Sequence, residues 1–332
     1  MILAIESSCD DSALALLEIA SKRLVFHDRI IQNADHAPYG GVVPELAARL
    51  HAVNLPKLLE QIAPRLPQVK AIAVTHEPGL TVALAEGVVM AQALALALGV
   101  PLIAVNHLKG HLCSLFVEGE ALFPLSALMV SGGHSLIIEA EDFTRMRQVA
   151  SSIDDSMGEA FDKVAKMLGL AYPGGPVIEQ LAKTGDENRF DFPLPLRNDP
   201  RLAFSYSGLK NSVRLAIEAQ GELSGQVKAD IAASFQKAAV DHLLFKTRRY
   251  LMRARPKRLG LVGGVSANAY LRARFEALCA EFGCEPLFAP LSFCSDNAAM
   301  IARAGLEQYL LGDFCDPASV VIRSRAPLTK ED

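Results

Sequence analysis

The chain has 332 residues, of which 51% are hydrophobic and 21% charged, so a largely disordered protein is excluded and about two domains are expected. The net charge of −4, from 33 Lys+Arg against 37 Asp+Glu, excludes a broadly cationic nucleic-acid binder but not a local basic patch.

Met1–Ile5 and Ala13–Glu18 are apolar runs around the polar turn Ser7-Ser8-Cys9-Asp10-Asp11-Ser12, the pattern of a β-hairpin. The N-terminus has no basic segment and does not read as a signal peptide. Val43–Leu59 reads as a helix with Pro44 near its start, and Pro56 is expected to kink or break it near its end. Ala71–Thr75 reads as a strand and Leu84–Leu98 as a buried helix. The most apolar stretch, Gly87–Val105, is almost long enough to span a bilayer. Gln92, Gly99 and Pro101 interrupt it, so a soluble helix ended by Gly99 and a buried strand Leu102–Val105 fit better. A second hairpin is expected at Ser126–Val130 and Leu136–Glu139, around Ser131-Gly132-Gly133-His134-Ser135. The two hairpins form a weak internal repeat that suggests two lobes built from related units. Met157–Leu168, Ile231–Met252, Ala267–Phe282 and Asn297–Leu310 read as helices, and Arg258–Val262 as a strand. Strands alternating with helices place the chain in the α/β class. Six cysteines without a CxxC pair read as reduced thiols in a cytoplasmic protein.

Several patterns bear on chemistry. In His107-Leu108-Lys109-Gly110-His111, a helix would put both imidazoles on one face, where they can reach one metal ion. Zinc and iron both accept imidazole, whereas the protease motif HExxH is absent because Leu108 stands where its glutamate would be. Two histidines four apart by chance is the competing reading. Asp296, in Cys294-Ser295-Asp296-Asn297, is a candidate third ligand or a plain helix cap. The turns Ser131-Gly132-Gly133-His134 and Gly263-Gly264-Val265-Ser266-Ala267-Asn268 follow apolar strands, and glycine there lets a backbone approach a phosphate or nucleoside closely. Neither is a Walker loop or a GxGxxG turn, and each alone is equally a tight turn. Together with the acidic N-terminal hairpin they suggest a nucleotide between two lobes. Asp155, Glu159 and Asp162 fall at i, i+4 and i+7, either to bind ribose hydroxyls or as a solvated face. The basic run Arg248–Arg258 is either an RNA-phosphate contact or a set of cations complementing a helix C-terminus.

The blocks Glu6-Ser7-Ser8-Cys9-Asp10, His36-Ala37-Pro38-Tyr39-Gly40-Gly41-Val42-Val43-Pro44-Glu45, Asn106-His107-Leu108-Lys109-Gly110-His111, Val130-Ser131-Gly132-Gly133-His134, Gly158-Glu159-Ala160-Phe161-Asp162-Lys163, Tyr172-Pro173-Gly174-Gly175-Pro176, Phe204-Ser205-Tyr206-Ser207-Gly208-Leu209-Lys210, Gly263-Gly264-Val265-Ser266-Ala267-Asn268 and Cys294-Ser295-Asp296-Asn297 run in one order over nearly the whole chain. The sequence resembles the TsaD family of tRNA threonylcarbamoyladenosine transferases. The resemblance implies an actin-like, Hsp70-like two-lobe fold of duplicated RNase H-like units. Expected boundaries are 1–123 for an N-terminal lobe and 124–296 for a C-terminal lobe, with residues 297–332 packing back on the N-terminal lobe. It implies transfer of threonylcarbamoyl from threonylcarbamoyl-AMP to N6 of adenosine 37 in ANN-decoding tRNAs, with release of AMP. An iron or zinc ion, Fe(2+) or Zn(2+), would be held by His107, His111 and Asp296. The adenylate site, open also to ATP or ADP, would map to Met129, Val130, Ser131, Gly132, Gly133, Asp162, Gly175 and Asn268, with Glu179 where the family usually has Asp. Asp10 is the expected catalytic residue, acting on the incoming amine or positioning the donor. A TsaB-like paralogue, a TsaE-like ATPase and a TsaC-type synthase supplying the donor are the implied partners, besides tRNA, with no membrane and a cytoplasmic location. Thr75–Gly87 departs from the family's glycine pattern, because Glu77 and Val82 replace expected glycines.

Overall fold

The computed structural model describes residues 1–326 and Leu328. The chain forms two compact units, one of Met1–Phe123, Asp142–Arg145 and the segment from Ala289 onward, the other of Pro124–Glu141 and Met146–Phe288.

In the first unit, β1 (Ile2–Glu6), β2 (Asp11–Leu17), β3 (Leu24–Ile31), β4 (Ala71–Glu77) and β5 (Leu102–Asn106) form a sheet in the order β3-β2-β1-β4-β5. β1 and β2 make the expected antiparallel hairpin, with Ile5 opposite Leu14, and β4 and β5 add in parallel. β1 is buried along its whole length, so it shows no polar alternation. Helix α1 (Asn33–His36) is one turn, followed by α2 (Pro44–Ile62), α3 (Thr81–Leu98) and α4 (His107–Cys113). Leu3, Ile5, Leu14 and Leu16 from the sheet share a core with Leu55, Leu58 and Ile62 of α2 and Val88, Ala91 and Ala95 of α3.

One expectation fails here. Pro56 does not end α2, which runs on to Ile62. A proline removes one hydrogen bond of the ladder, and Pro56 is exposed, while Leu55, Leu58 and Ile62 keep the following turn anchored in the core. The apolar stretch resolves as expected into α3, a stop at Gly99 in the left-handed region, and β5. By length and composition α3 is the one helix among the described residues able to cross a membrane, and one side of it is packed into the core.

The second unit carries β6 (Leu125–Val130), β7 (Ser135–Ala140), β8 (Met146–Ser152), β9 (Ala203–Phe204), β10 (Arg258–Val262) and β11 (Glu285–Phe288), in the order β11-β10-β6-β7-β8-β9. β6, β7 and β8 are antiparallel, and β10 and β11 extend the sheet in parallel beyond β6. Read from β8 to β11, this repeats the order and directions of the first sheet, with β9 added at the edge. The duplicated unit anticipated from the two hairpins is therefore present in the strand order. Helices α5 (Met157–Met167), α6 (Gly174–Ala182), α7 (Ser207–Gln220), α8 (Gly225–Ala254) and α9 (Ala269–Glu281) complete it. Its core joins Leu128, Val130 and Ile137 to Phe161, Phe204, Phe235, Leu243 and Phe275. α10 (Ala298–Leu311) belongs to the first unit, where Gly305 lets it lie against Ala73 of β4; a Cβ there would come within 2.6 Å of the Ala73 Cβ.

Several cations near the end of α8 are engaged by the protein itself. Lys246 Nζ donates to the carbonyls of Asp199 and Arg201, both at 2.9 Å. Arg249 donates to the Arg197 carbonyl at 3.1 Å, and Arg248 pairs with Glu281 at 2.8 Å. They fasten the loop before β9 and the end of α9.

Candidate metal centre and nucleotide cleft

Three side chains of the first unit converge as the metal reading requires. Asn106, at the end of β5, caps α4 by accepting from the backbone N–H of Leu108 at 2.9 Å, so the helix starts at His107. His107 and His111 then share one face, with ring centroids 4.6 Å apart. Asp296 reaches them from the loop before α10, where Asn297 takes the cap by accepting from Met300 N. Asp296 is therefore not the cap, and its carboxylate faces the two rings. Its Oδ1 lies 3.4 Å from His107 Nε2 and 3.1 Å from His111 Nε2. One potential ligand atom from each of the three lies within 4.8 Å of the others.

The surroundings are strongly anionic. Burial opposes a charge on His107, yet Glu6 and Asp296 together lift its pKa to about 10. Burial likewise opposes charge on Glu6 and Asp296, but His107 holds Glu6 below its ordinary value, and both histidines hold Asp296 well below. Asp11 is pushed up to about 7 by burial and by Asp296 and Asp10, with Arg29 pulling the other way. Asp10 is raised by burial, aided by Asp296. Arg29 also donates to Ser295 Oγ and to the Asp296 carbonyl at 3.2 Å, which fixes the ligand loop and leaves the Asp296 carboxylate to the two histidines.

Two imidazoles and one carboxylate form a donor set suited to a divalent iron or zinc ion. Among the described residues, neither buried ring nitrogen of His111 makes a well-directed hydrogen bond, and Nε2, whose near neighbour is Asp296 Oδ1 at 3.1 Å, is placed for a shared cation. The residues present therefore fit such an ion.

A chain of buried polar groups holds the Cys9-Asp10 turn. Val43 N–H donates to His36 Nδ1 at 3.2 Å, which leaves His36 Nε2 to donate to Gln32 Oε1 at 3.2 Å. Gln32 Nε2 donates to Ser12 Oγ at 3.3 Å, Ser12 Oγ meets His51 Nδ1 at 2.7 Å, and His51 Nε2 donates to the Cys9 carbonyl at 3.0 Å. Each link sets the tautomer of the next. On the other side of the turn, Leu80 N–H donates to the Ser8 carbonyl at 2.8 Å, and a Cβ on Gly79 would meet that oxygen at 2.6 Å. Of the two replaced glycines nearby, Glu77 accepts from Arg323 at 2.7 Å and Val82 is exposed.

In the second unit, Gly132, Gly158, Phe161, Asp162, Gly175, Glu179, Gly264 and Asn268 are among the residues lining a cleft of about 180 Å³. Its glycines do two different jobs. Gly158 and Gly263 are packing positions: a Cβ would meet Ser131 O at 2.6 Å or Val130 O at 2.4 Å. Gly132, Gly175 and Gly264 would meet nothing within 4 Å, so they present bare backbone to the opening. Asp162 accepts from Gly174 N at 2.7 Å, and Glu179 accepts from Ala269 N at 2.7 Å. Asn268 caps α9 through Leu271 N and donates to Gln236 Oε1 at 2.9 Å, so its side chain shapes the turn. Met129 and Val130 are fully buried in β6, and Ser131 Oγ accepts from His134 N at 3.1 Å, closing the turn on which Gly133 lies. Asp155, Glu159 and Asp162 do not act as one face: Lys163 bridges Asp155 and Glu159, Lys210 also binds Asp155, and Asp162 alone reaches the cleft. A larger cavity of about 680 Å³, near Phe190, Arg248 and Arg274, is lined by none of the predicted residues, and its Arg274 is paired with Asp241.

The sequence reading did not single out Arg29, Gln32, Thr75 or the separate role of Glu6. A signal existed for Glu6 alone: an acid closing an otherwise wholly apolar strand.

Comparison with known proteins bears on both sites. Residues 24–303 match the family model "TsaD: tRNA N6-adenosine threonylcarbamoyltransferase". The chain is 57% identical over 328 residues to a tRNA N6-adenosine threonylcarbamoyltransferase of Wolinella succinogenes, covering 98% of this chain and 99% of the relative. It is 55% identical over 317 residues to one from Helicobacter pylori strain J99, covering 93% of each. Among solved structures, HypF of T. kodakarensis aligns with a TM-score of 0.66 at 13% identity, over 97% of this chain and 49% of that one. Full-length HypF in its phosphate- and nucleotide-bound form aligns at 0.61 and 15%, over 93% and 55%. This chain thus spans about half of each HypF chain, and the likeness is one of fold.

Proposed function

The chain belongs to the TsaD family of tRNA N6-adenosine threonylcarbamoyltransferases, and we propose that it carries out the family reaction with the metal centre and the cleft described above. It is a tRNA N6-adenosine threonylcarbamoyltransferase, its substrate is a tRNA, and its product is N6-threonylcarbamoyladenosine at position 37. The donor in this reading is threonylcarbamoyl-AMP, and the acceptors are ANN-decoding tRNAs.

The adenylate is assigned to the cleft of the second unit. Gly132, Gly175 and Gly264 offer backbone that can approach it without side-chain obstruction. Asp162 and Glu179 supply carboxylates suited to ribose hydroxyls. The N-terminus of α6, beside Gly175, favours the phosphate charge. ATP or ADP would fit the same contacts.

His107, His111 and Asp296 are assigned to one Fe(2+) or Zn(2+) ion, which when bound supplies Lewis-acid charge for the donor's carbonyl or phosphate oxygens. The donor is a mixed anhydride that is already activated, so no covalent nucleophile is required and the cysteines have no role. As N6 of the adenosine bonds to the carbamoyl carbon, the carbon–oxygen bond to AMP breaks and N6 loses a proton. Asp10 is assigned to take that proton: burial raises its basicity, and the polar chain ending at the Cys9 carbonyl fixes its turn. A TsaB-like paralogue, a TsaE-like ATPase and a TsaC-type synthase are the proposed partners, and the cytoplasm the proposed location.

The observation that carries this reading is the buried convergence of His107, His111 and Asp296 in a chain of this family. The test is reconstitution with threonylcarbamoyl-AMP and an unmodified ANN-decoding tRNA, read by nucleoside analysis. Modified adenosine that disappears with Asp296→Asn and Asp10→Ala is expected. No product with any combination of the partners would overturn the assignment.

A further inference from the structure

Glu6 ends β1 and is completely buried, yet it is not one of the three converging ligands. Its carboxylate is saturated with donors. Oε1 accepts from Ser8 N at 2.6 Å, and Oε2 accepts from Thr75 Oγ1 at 2.6 Å while lying 3.1 Å from His107 Nδ1. The His107 ring thus has two ends with different neighbours: Nδ1 faces the Glu6 carboxylate at 3.1 Å and the Ser8 hydroxyl at 3.2 Å, and Nε2 faces Asp296. His111 has no such support, since its Nδ1 has no hydrogen-bond partner among the described residues.

We propose that Glu6 is a positioning residue that holds His107 with its proton on Nδ1, so that the Nε2 lone pair is presented to the ion shared with His111 and Asp296. This rests on the metal reading of those three residues. An ionised carboxylate can only accept, so a neutral His107 beside it must carry its proton on Nδ1 and keep Nε2 free. Metal-bound histidines commonly have their outer N–H fixed by such an acceptor. The support is rigid: Glu6 and Thr75 come from the adjacent parallel strands β1 and β4, and Ser8 from the turn that follows. The two histidines are therefore unequal, His107 preset and His111 adjustable.

Glutamine at position 6 separates this role from simple packing. It keeps the volume but makes one of the two oxygens an NH2. If the NH2 took the Oε1 position it would face the Ser8 N–H, donor against donor. Turned the other way, its oxygen accepts from Ser8 N while its NH2 donates to His107 Nδ1 and Thr75 Oγ1. An NH2 facing Nδ1 disfavours a proton there and favours one on Nε2, the nitrogen the metal needs. Glu6→Gln therefore keeps the fold and opposes the ligand.

The experiment titrates metal-free full-length protein with Co2+ in competition with a chelating indicator and follows the d–d absorption of the bound ion. One Co2+ per chain is expected for the unmutated protein, lost in His107→Asn and in Asp296→Asn. Glu6→Gln is expected to bind about 10–100-fold more weakly at the same stoichiometry. Without metal it should still unfold in one cooperative thermal transition, at a midpoint lowered by the loss of the buried Glu6–His107 charge pair. Thr75→Val, which spares the Glu6–His107 contact, is expected to change the affinity far less. Ring-nitrogen shifts of His107 in the Zn2+-loaded unmutated protein give a measurement independent of any variant, with a protonated Nδ1 and a metal-bound Nε2 expected. Affinity unchanged in Glu6→Gln, or a metal-bound Nδ1, overturns the role of Glu6 alone. A Co2+ site untouched by His107→Asn and Asp296→Asn overturns the metal reading itself, and this inference with it.

Discussion

Replacing Gly158 by alanine should disturb the donor cleft from behind, without touching any ligand. Gly158 is the second residue of α5, where alanine would ordinarily favour the helix by about 1 kcal/mol. The added Cβ would lie 2.6 Å from Ser131 O, 2.8 Å from Gly132 Cα and 2.9 Å from Gly132 N. All three are backbone atoms, so no side chain can rotate away. Overpacking costs about 1–3 kcal/mol, and with no yielding neighbour the upper part of that range applies. The net loss is about 1–2 kcal/mol, or a fall of about 2–8 °C in thermal midpoint for a unit of this size. The clash can be eased only by moving the 131–133 turn, so nucleotide binding should weaken as well. Gly132→Ala is the matched control. Its methyl would meet no protein atom within 4 Å, so the midpoint should hold while the methyl intrudes on the cleft. Scanning calorimetry of the nucleotide-free protein and titration with AMP read the two effects separately. An unchanged midpoint and unchanged AMP affinity in Gly158→Ala would refute the close packing of α5 on the turn. Full AMP affinity in Gly132→Ala would remove Gly132 from the cradle.

Other outcomes follow from the same geometry. Arg29→Ala releases the Asp296 carbonyl and Ser295 Oγ, so metal affinity should fall although no ligand is lost; equal chelator resistance in the variant would show that the ligand loop needs no such anchor. Gln32→Leu leaves the polar groups of His36, Ser12 and His51 short of partners and should cost about 2–4 kcal/mol, read as a lower urea midpoint; a stability within error of the parent counts against the buried chain. His242 is held at about 4 by burial and by Lys246, against 6.5 when unfolded. Between those values the unfolded chain takes up a proton that the folded chain refuses, so stability falls as pH drops through the window, by up to about 3 kcal/mol. His242→Gln, whose amide oxygen still accepts from Ser205 N, should remove that part of the pH slope; parallel slopes in the two proteins would mean His242 is not the group responsible.

What the sequence disclosed depended on whether the signal was local. Both hairpins and most helices were legible because apolar periodicity and turn residues lie within a few positions of one another. Strands β3, β8, β9 and β11 were not identified. β3 and β8 carry half-exposed, polar-rich patterns, β9 has two residues, and β11 none that is fully buried. α8 begins at Gly225 rather than Ile231 because Ser224 caps it by accepting from Val227 N, in a stretch with little apolar content. The histidine pair was readable from its spacing. Asp296 stands 185 residues from His111, and no local rule joins them; the residues alone left it as a third ligand or a helix cap, and the family resemblance chose between the two. The Glu6–Thr75 contact depends on β1 pairing with β4, with β2, β3, α1 and α2 between them in the chain, and strand pairing at that separation leaves no periodic trace.

The repeated strand order has a chemical consequence. The β1–β2 turn and the β6–β7 turn are the same place in two copies of one design. In the first copy it carries Cys9, Asp10 and Asp11, next to a glutamate and two imidazoles. In the second it carries Ser131, Gly132, Gly133 and His134, with two bare glycines and no acid. In the function proposed above, one copy would host a cation and the other a nucleotide. One turn cannot be both acidic and bare, since carboxylates repel the phosphate that exposed amides attract. Doubling the unit removes that conflict, because each turn can be changed for one task without spoiling the other. If the proposed assignments hold, exchanging the two turn sequences should abolish both metal and nucleotide binding, even where each half still folds.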